Sequence, residues 1–211
     1  MLNARSDPMQ LPSRVPFPAF TGERVYMRRF ERGEPLPVDL RRWQSTVDVM
    51  LDGVDSAGPV YLMIDQSAVK SGAPHRRPGI HVDNYWHEGT SQHDQGHGNR
   101  PTMGCHGVPV PSPPTHNPRP SHSIYGSGEA LIIASDVLGC VGYVGMWSGE
   151  QRENGDCCDV DVSSLERVPF EPGRAWLGDT ATLLHESIPL AADALRTVVR
   201  LNVKGWGSAT R

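Results

Sequence analysis

A histidine and a carboxylate stand two positions apart in His81-Val82-Asp83, directly after a Pro-Gly turn. Side chains alternate faces along a β-strand, so the imidazole and the carboxylate would point to the same side. A second histidine, His185, ends an apolar run far downstream. We therefore predict that His81, Asp83 and His185 form a metal site. A structural metal or a hydrogen-bonded polar core is the alternative for the same three residues.

Two arginines mark the last predicted strand. Arg196 and Arg200 are four positions apart, so they share one face with Val198 between them. On the inner face of an apolar strand they would need an anionic partner, because an unpaired buried charge costs several kcal/mol. A small dicarboxylate would serve, since a guanidinium binds a carboxylate through two hydrogen bonds. Salt bridges to Glu186 or Asp193, or contact with water, are the alternatives.

Two histidines and one carboxylate, with coordination positions left open, form the ligand set of non-haem Fe(II) oxygenases. With Arg77-Pro78-Gly79-Ile80-His81-Val82-Asp83 at the first site and Arg196-Thr197-Val198-Val199-Arg200-Leu201-Asn202-Val203 in the last strand, the chain is similar to uncharacterised proteins of tailed phages and prophages. Over about residues 59–204 it resembles the Fe(II)/2-oxoglutarate-dependent oxygenase superfamily. Three segments carry this resemblance, in this order: His81-x-Asp83, Gly178-Asp179 followed by His185-Glu186-Ser187-x-Pro189, and Arg196-Thr197-x-x-Arg200.

The resemblance implies a double-stranded β-helix, or jelly roll, and a role for each matching residue. His81, Asp83 and His185 would bind Fe(II), with no catalytic side chain beyond these ligands. A basic residue early in the last strand would bind the far carboxylate of the co-substrate 2-oxoglutarate. We favour Arg196 for this role, with Arg200 as a second clamp or a substrate contact. The implied reaction hydroxylates a substrate that the sequence does not identify.

The remaining pattern is that of a turn-rich β protein. Hydrophobic residues make up 37% of the 211 residues, while 22 glycines and 19 prolines supply turn signals. We expect a mainly β fold, a β-sandwich or jelly roll with one or two supporting helices. The period of Leu40, Trp43 and Val47 predicts a helix over residues 37–51. Apolar runs predict strands at 59–65, 129–135, 140–147 and 195–203, and a bent strand or strand pair over 174–185 that turns at 177–179.

The chain should form one domain. We expect residues 1–25 to be an extended N-terminal arm and residues 26–211 to be a single jelly-roll domain with a long inserted loop at 87–123. That loop holds six histidines among many Gly, Pro and Ser residues. Their spacing matches no compact ligand motif, so a solvated lid is favoured over a second metal cluster.

The composition argues against some classes of binding partner. The net charge of −4 gives no clear nucleic-acid footprint. No run of 18 apolar residues or signal-like leader is present, so we expect no membrane contact and a cytoplasmic location, in a host if the protein is viral. The four cysteines lack CxxC spacing, and free thiols are expected.

Three functions compete. The favoured one is an oxygenase. The second is a non-enzymatic jelly-roll component of a phage head or tail, in which the arm and the loop contact other copies of the chain or other virion proteins. The third is a cupin-like sugar- or metal-binding module. Iron content and 2-oxoglutarate turnover would separate them.

Overall fold

The computed structural model describes residues 2–56, 58–83, 102–103, 109–110, 128–152 and 154–207. A 3₁₀ helix, Val38–Trp43, runs directly into α1, Gln44–Leu51. The strands are β1 Leu2–Ser6, β2 Met9–Arg14, β3 Arg24–Phe30, β4 Val60–Val69, β5 Thr102–Met103, β6 Pro109–Val110, β7 Glu129–Ser135, β8 Cys140–Gly149, β9 Glu166–Pro169, β10 Arg174–Asp179, β11 His185–Ser187 and β12 Ala194–Lys204.

Most strands belong to two antiparallel sheets. The larger sheet has the order β2-β10-β7-β12-β4-β3. In the smaller sheet β8 is central and pairs with β1, β9 and β11, while β5 and β6 form a separate two-stranded sheet. The prediction of a mainly β protein is confirmed, and the two antiparallel sheets are consistent with a β-sandwich.

The two faces of β12 pack into different clusters. Val199 and Leu201 join the cluster that contains Trp43 and the helix, on the outer side of the larger sheet. Val198 instead packs with Cys140 of β8, between the two sheets. Because side chains alternate along a strand, the two arginines that share the face of Val198 also lie between the sheets. The predicted division of this strand into an inner and an outer face is confirmed.

The predicted helix over residues 37–51 is present in two parts, and its apolar residues cover the larger sheet. Leu40, Trp43, Val47 and Met50 are all at least 97% buried. Burial of each such side chain contributes roughly 1.5–3 kcal/mol. The Trp43 indole Nε1 donates a hydrogen bond to Glu23 Oε2 at 3.0 Å, which satisfies its polar atom in the core.

The turn before His185 lies later than predicted. Residues 177–179 belong to β10, and the chain turns over residues 179–182, where Thr182 N donates to Asp179 O at 3.2 Å. Asp179 Oδ1 also accepts from Ala181 N at 2.9 Å, the side-chain-to-backbone bond that favours Asp in turns. Gly178 has a packing role instead, since a Cβ there would lie 2.8 Å from Leu183 Cδ2. The prediction of a turn at Gly178-Asp179 is therefore wrong.

The N-terminal residues, predicted to form an extended arm, contribute strands to both sheets. β1 pairs with β8, and β2 pairs with β10. Ala4 and Leu11 are buried by this pairing. Both strands cover sheet edges that would otherwise present unpaired backbone groups.

Two further expectations concern the cysteines and the long loop. Cys140 and Cys157 are free and buried, but Cys158 is disulfide-bonded, so the expectation of free thiols is wrong at that position. The six histidines of the 87–123 loop lie outside the described residues. No helix within the described ranges is long and apolar enough to cross a membrane.

Candidate metal centre

Backbone pairing brings the two histidines together. His81 N donates to His185 O, and His185 N donates to His81 O, both at 3.0 Å. His81 therefore lies beside β11 as an isolated bridge residue. The sequence had instead predicted a continuous strand at this position. On its other side, Val82 N donates to Gly155 O at 3.0 Å. Val82 and Leu184 pack into the outer cluster of the smaller sheet, so the neighbouring histidines face inward.

The three predicted ligands converge on one point. One ligand atom from each of His81, Asp83 and His185 lies within 4.8 Å of the others. Asp83 Oδ1 lies 3.9 Å from His81 Nε2, and Asp83 Oδ2 lies 3.7 Å from His185 Nε2. Ligands with metal bonds of about 2.1 Å lie roughly 3.0–3.5 Å apart in octahedral or tetrahedral sites. Shifts of less than about 1 Å would bring all three to bonding distance, so the residues fit a metal ion.

Each histidine is oriented through its second ring nitrogen. His81 Nδ1 lies 2.7 Å from Gly79 O, and His185 Nδ1 lies 3.1 Å from Leu183 O. A carbonyl only accepts hydrogen bonds, so Nδ1 is the donor in both rings. The lone pair then belongs to Nε2, the nitrogen that faces Asp83. Metal-binding histidines commonly use this arrangement.

Burial and charge set protonation states that suit metal binding. Burial lowers the pKa of His81 well below its usual value, with a further contribution from the nearby His185. Burial also lowers the pKa of His185. For Asp83, burial alone would raise the pKa, but the Arg200 guanidinium and the two histidines hold it well below its usual range. At neutral pH the site therefore offers two neutral imidazoles and one carboxylate.

Arg200 contacts the carboxylate of this group. Its Nη1 lies 2.8 Å from Asp83 Oδ2, and its Nε donates to Asn202 Oδ1 at 2.9 Å. The alternative of a salt bridge to Glu186 or Asp193 is not what the structure shows. The sequence analysis did not identify Asn202 as a site residue, although its position two residues after Arg200 places it on the same face of β12.

Arg196 lies on the same inner face and is 1% exposed. Its Nε donates to Ser135 Oγ at 3.0 Å and to Val137 O at 3.2 Å. Its Nη1 is buried and has no hydrogen-bond partner within the part of the chain that the structure describes. Burial also lowers the pKa of this guanidinium. A Cβ at Gly139 would lie 2.6 Å from Arg196 Cζ and 2.7 Å from Nη1, so glycine leaves room for the side chain.

A further ionic group lies on the neighbouring strand β4. Asp65 Oδ2 lies 2.8 Å from Arg76 Nη1, and Asp65 Oδ1 lies 3.2 Å from His75 Nε2. Burial would raise the pKa of Asp65, but these two partners, with Ser67, hold it well below its usual range. Ser67 is the residue of β4 paired with Arg196. Sequence reasoning missed this group because Asp65 had been read as the end of a strand that continues to Val69.

No protein family, curated protein or solved structure that was compared with this chain matches it.

Proposed function

We propose that the protein is a non-haem Fe(II)/2-oxoglutarate-dependent oxygenase that hydroxylates a second substrate. One observation carries the proposal. Two neutral histidines and an ionised aspartate meet between the sheets, while Arg196, on the same inner face, keeps a buried Nη1 without a hydrogen-bond partner in the described ranges. The first group suits a metal ion and the second suits an anion, so together they match a metal-dependent enzyme with an anionic co-substrate.

The strand order supports a jelly roll for this chain. From β4 onward, successive segments mostly change sheet: β4 and β7 lie in the larger sheet, with the His81 bridge beside the smaller sheet between them. β8 and β9 follow in the smaller sheet, then β10 in the larger, β11 in the smaller and β12 in the larger. A jelly roll requires this winding between two packed sheets.

The donor types suit a divalent transition metal, iron among them. Two imidazoles and one carboxylate, with open positions, are typical of non-haem Fe(II) sites. When bound, the iron would supply the one-electron and O₂ chemistry that amino-acid side chains lack. The chain itself would contribute His81, Asp83 and His185 as ligands, and the surrounding buried surface would limit the access of water.

Arg196 would bind the distal carboxylate of 2-oxoglutarate. Its guanidinium is held through Nε by Ser135 and Val137, which leaves Nη1 free to donate among the described contacts. Charge-assisted hydrogen bonds of this kind are about twice as strong as neutral ones. A Cβ at Gly139 would overlap with Arg196 Cζ and Nη1, so this glycine allows the guanidinium to take its position. Binding of the carboxylate would thus satisfy a donor that the fold leaves unpaired.

The test is metal and co-substrate binding by the purified protein. Under anaerobic conditions, Fe(II) and 2-oxoglutarate should together give a weak visible charge-transfer band. In air, succinate should form slowly without a second substrate. His185→Ala should abolish both signals, while Arg5→Ala, at an exposed surface position, should leave them unchanged.

If fully metallated wild-type protein gives neither signal, the proposal that the protein is an oxygenase is refuted. The structural alternative would then be tested by asking whether the protein is found in purified phage particles at a fixed stoichiometry.

A further inference from the structure

A continuous row of polar side chains occupies the inner face of β12 beyond the metal ligands. Arg200, Asn202 and Lys204 alternate along the strand, and Lys204 pairs in register with Glu129 of β7. Asn202 and Glu129 are completely buried. Buried polar groups must be satisfied by partners, so the contacts within this row decide how each of its side chains is oriented.

The contacts of the row alternate in charge. Lys204 Nζ forms an ion pair with Glu129 Oε2, and Asn202 Nδ2 donates to Glu129 Oε1. Asn202 Oδ1 accepts from Arg200 Nε at 2.9 Å, and Arg200 Nη1 lies 2.8 Å from Asp83 Oδ2. A carboxylate accepts and a guanidinium donates, so the Asn202 amide has only one suitable orientation. The row therefore fixes the Arg200 guanidinium from one side and Asp83 holds it from the other.

We propose that Arg200 is a positioning residue for Asp83 and not a co-substrate clamp. It binds Oδ2, the oxygen that lies 3.7 Å from His185 Nε2, and thereby fixes the orientation of the carboxylate, whose Oδ1 lies 3.9 Å from His81 Nε2. This inference rests on the proposed function, and it assigns the anion site to Arg196 alone.

The guanidinium has two opposing effects on a metal ion. Its positive charge repels the cation, whereas its hydrogen bond fixes the carboxylate that binds it. Arg200→Lys separates the two effects, because it keeps the charge but replaces the planar fork with a single ammonium group. An ammonium group cannot reproduce the two separately directed bonds to Asn202 and Asp83. Any change in metal binding then reports geometry.

The experiment uses Co(II) as the metal probe in the full-length protein. For Arg200→Lys we expect Co(II) affinity to fall about 10- to 100-fold, as is typical when a partner of a metal ligand is lost. The visible Co(II) spectrum should also change, while the Kd of 2-oxoglutarate for the Co(II)-saturated protein stays within about twofold of wild type. Asn202→Ala, which leaves Arg200 in place but unsupported, should change Co(II) affinity in the same direction.

The control is Arg5→Lys, which alters an arginine that lies 3.7 Å from Asp7 at the exposed surface. It should leave Co(II) affinity and the spectrum as they are. Wild-type affinity and spectrum in Arg200→Lys would overturn the inference, and so would a selective rise of 10-fold or more in the Kd of 2-oxoglutarate. Wild-type protein that binds no Co(II) would instead overturn the proposed function together with this inference.

Discussion

Replacing Arg196 by methionine removes a buried guanidinium while keeping a long side chain in the same space. If Arg196 has a structural role, the protein should lose stability. If Arg196 is held in place to bind an anion, its burial costs desolvation free energy that its few hydrogen bonds do not fully offset. We predict that Arg196→Met leaves the free energy of unfolding nearly unchanged, or raises it, while strongly weakening the binding of 2-oxoglutarate.

The contacts of Arg196 give the magnitude. The substitution removes the single Nε–H, which Ser135 Oγ and Val137 O share as acceptors, a loss of about 1.5–3 kcal/mol for a charged donor. Val137 O keeps a hydrogen bond from Ser135 Oγ at 2.9 Å, so it is not left unsatisfied. Against this loss, the variant no longer buries a cation, whose effective desolvation costs several kcal/mol. The two effects nearly cancel, and we expect a net change within about 1 kcal/mol of zero or in the stabilising direction.

Ligand binding should respond in the opposite way. Loss of one partner of a buried, hydrogen-bonded charge pair costs about 2–5 kcal/mol. At 1.4 kcal/mol for each factor of ten, this weakens 2-oxoglutarate binding by roughly 30-fold or more. Urea unfolding of the metal-free protein would measure the stability, and calorimetric titration of Mn(II)-loaded protein would measure the affinity. Arg5→Met serves as the control for both.

The opposite pattern would refute this reasoning. A loss of more than about 3 kcal/mol in the free energy of unfolding, with unchanged affinity for 2-oxoglutarate, would mean that the guanidinium stabilises the fold and binds no co-substrate.

Three further predictions follow from the same region. Gly139→Ala should destabilise the protein by about 1–3 kcal/mol, because its Cβ would lie 2.6 Å from Arg196 Cζ. This loss of stability should be smaller when Arg196→Met is also present. Urea unfolding that shows additive effects of the two substitutions would contradict this explanation. Metal-free protein should lose stability as pH falls below about 6.5, because burial lowers the pKa of each buried histidine in the native state and only the unfolded chain takes up the proton. The loss should be at most about 1.4 kcal/mol per pH unit for each histidine. Between pH 5 and pH 8, the free energy of unfolding should depend less steeply on pH in His185→Gln than in the wild type. Burial raises the pKa of Cys140 to about 12 and that of Cys157 to about 11, so iodoacetamide at pH 8 should label neither thiol before unfolding, as mass spectrometry would show.

The local pattern of the sequence predicts much of the fold because strand and helix periods are local properties. The strand at residues 129–135 has the predicted bounds, and the last strand extends the predicted 195–203 by one residue at each end. The alternation along this strand also placed Arg196 and Arg200 on the inner face. These features depend on neighbours two to four positions away, which the sequence displays directly.

Other features depend on partners that are remote in the chain. Gly178 suggests a turn in the sequence, but its small size serves close packing against Leu183. Nothing in the N-terminal residues indicates that they pair with β8 and β10, because strand pairing depends on edges formed by distant segments. The ion-pair partner of Arg200 is equally hidden, since Asp83 is remote in the chain and contacts it only in the folded protein.

In the proposed site, one face of β12 would carry both the arginine that holds a metal ligand and the arginine that binds the co-substrate. Arg200 is balanced by Asp83, whereas the Arg196 charge lacks a hydrogen-bonded anion among the described residues. A divalent cation alone would add two positive charges to this buried region, and dianionic 2-oxoglutarate alone would add two negative charges. Together they leave the net charge unchanged, which lowers the electrostatic cost of burying each one. If the proposed function is correct, metal and co-substrate should therefore each raise the affinity for the other, and by the same factor, since coupling between two binding equilibria is reciprocal.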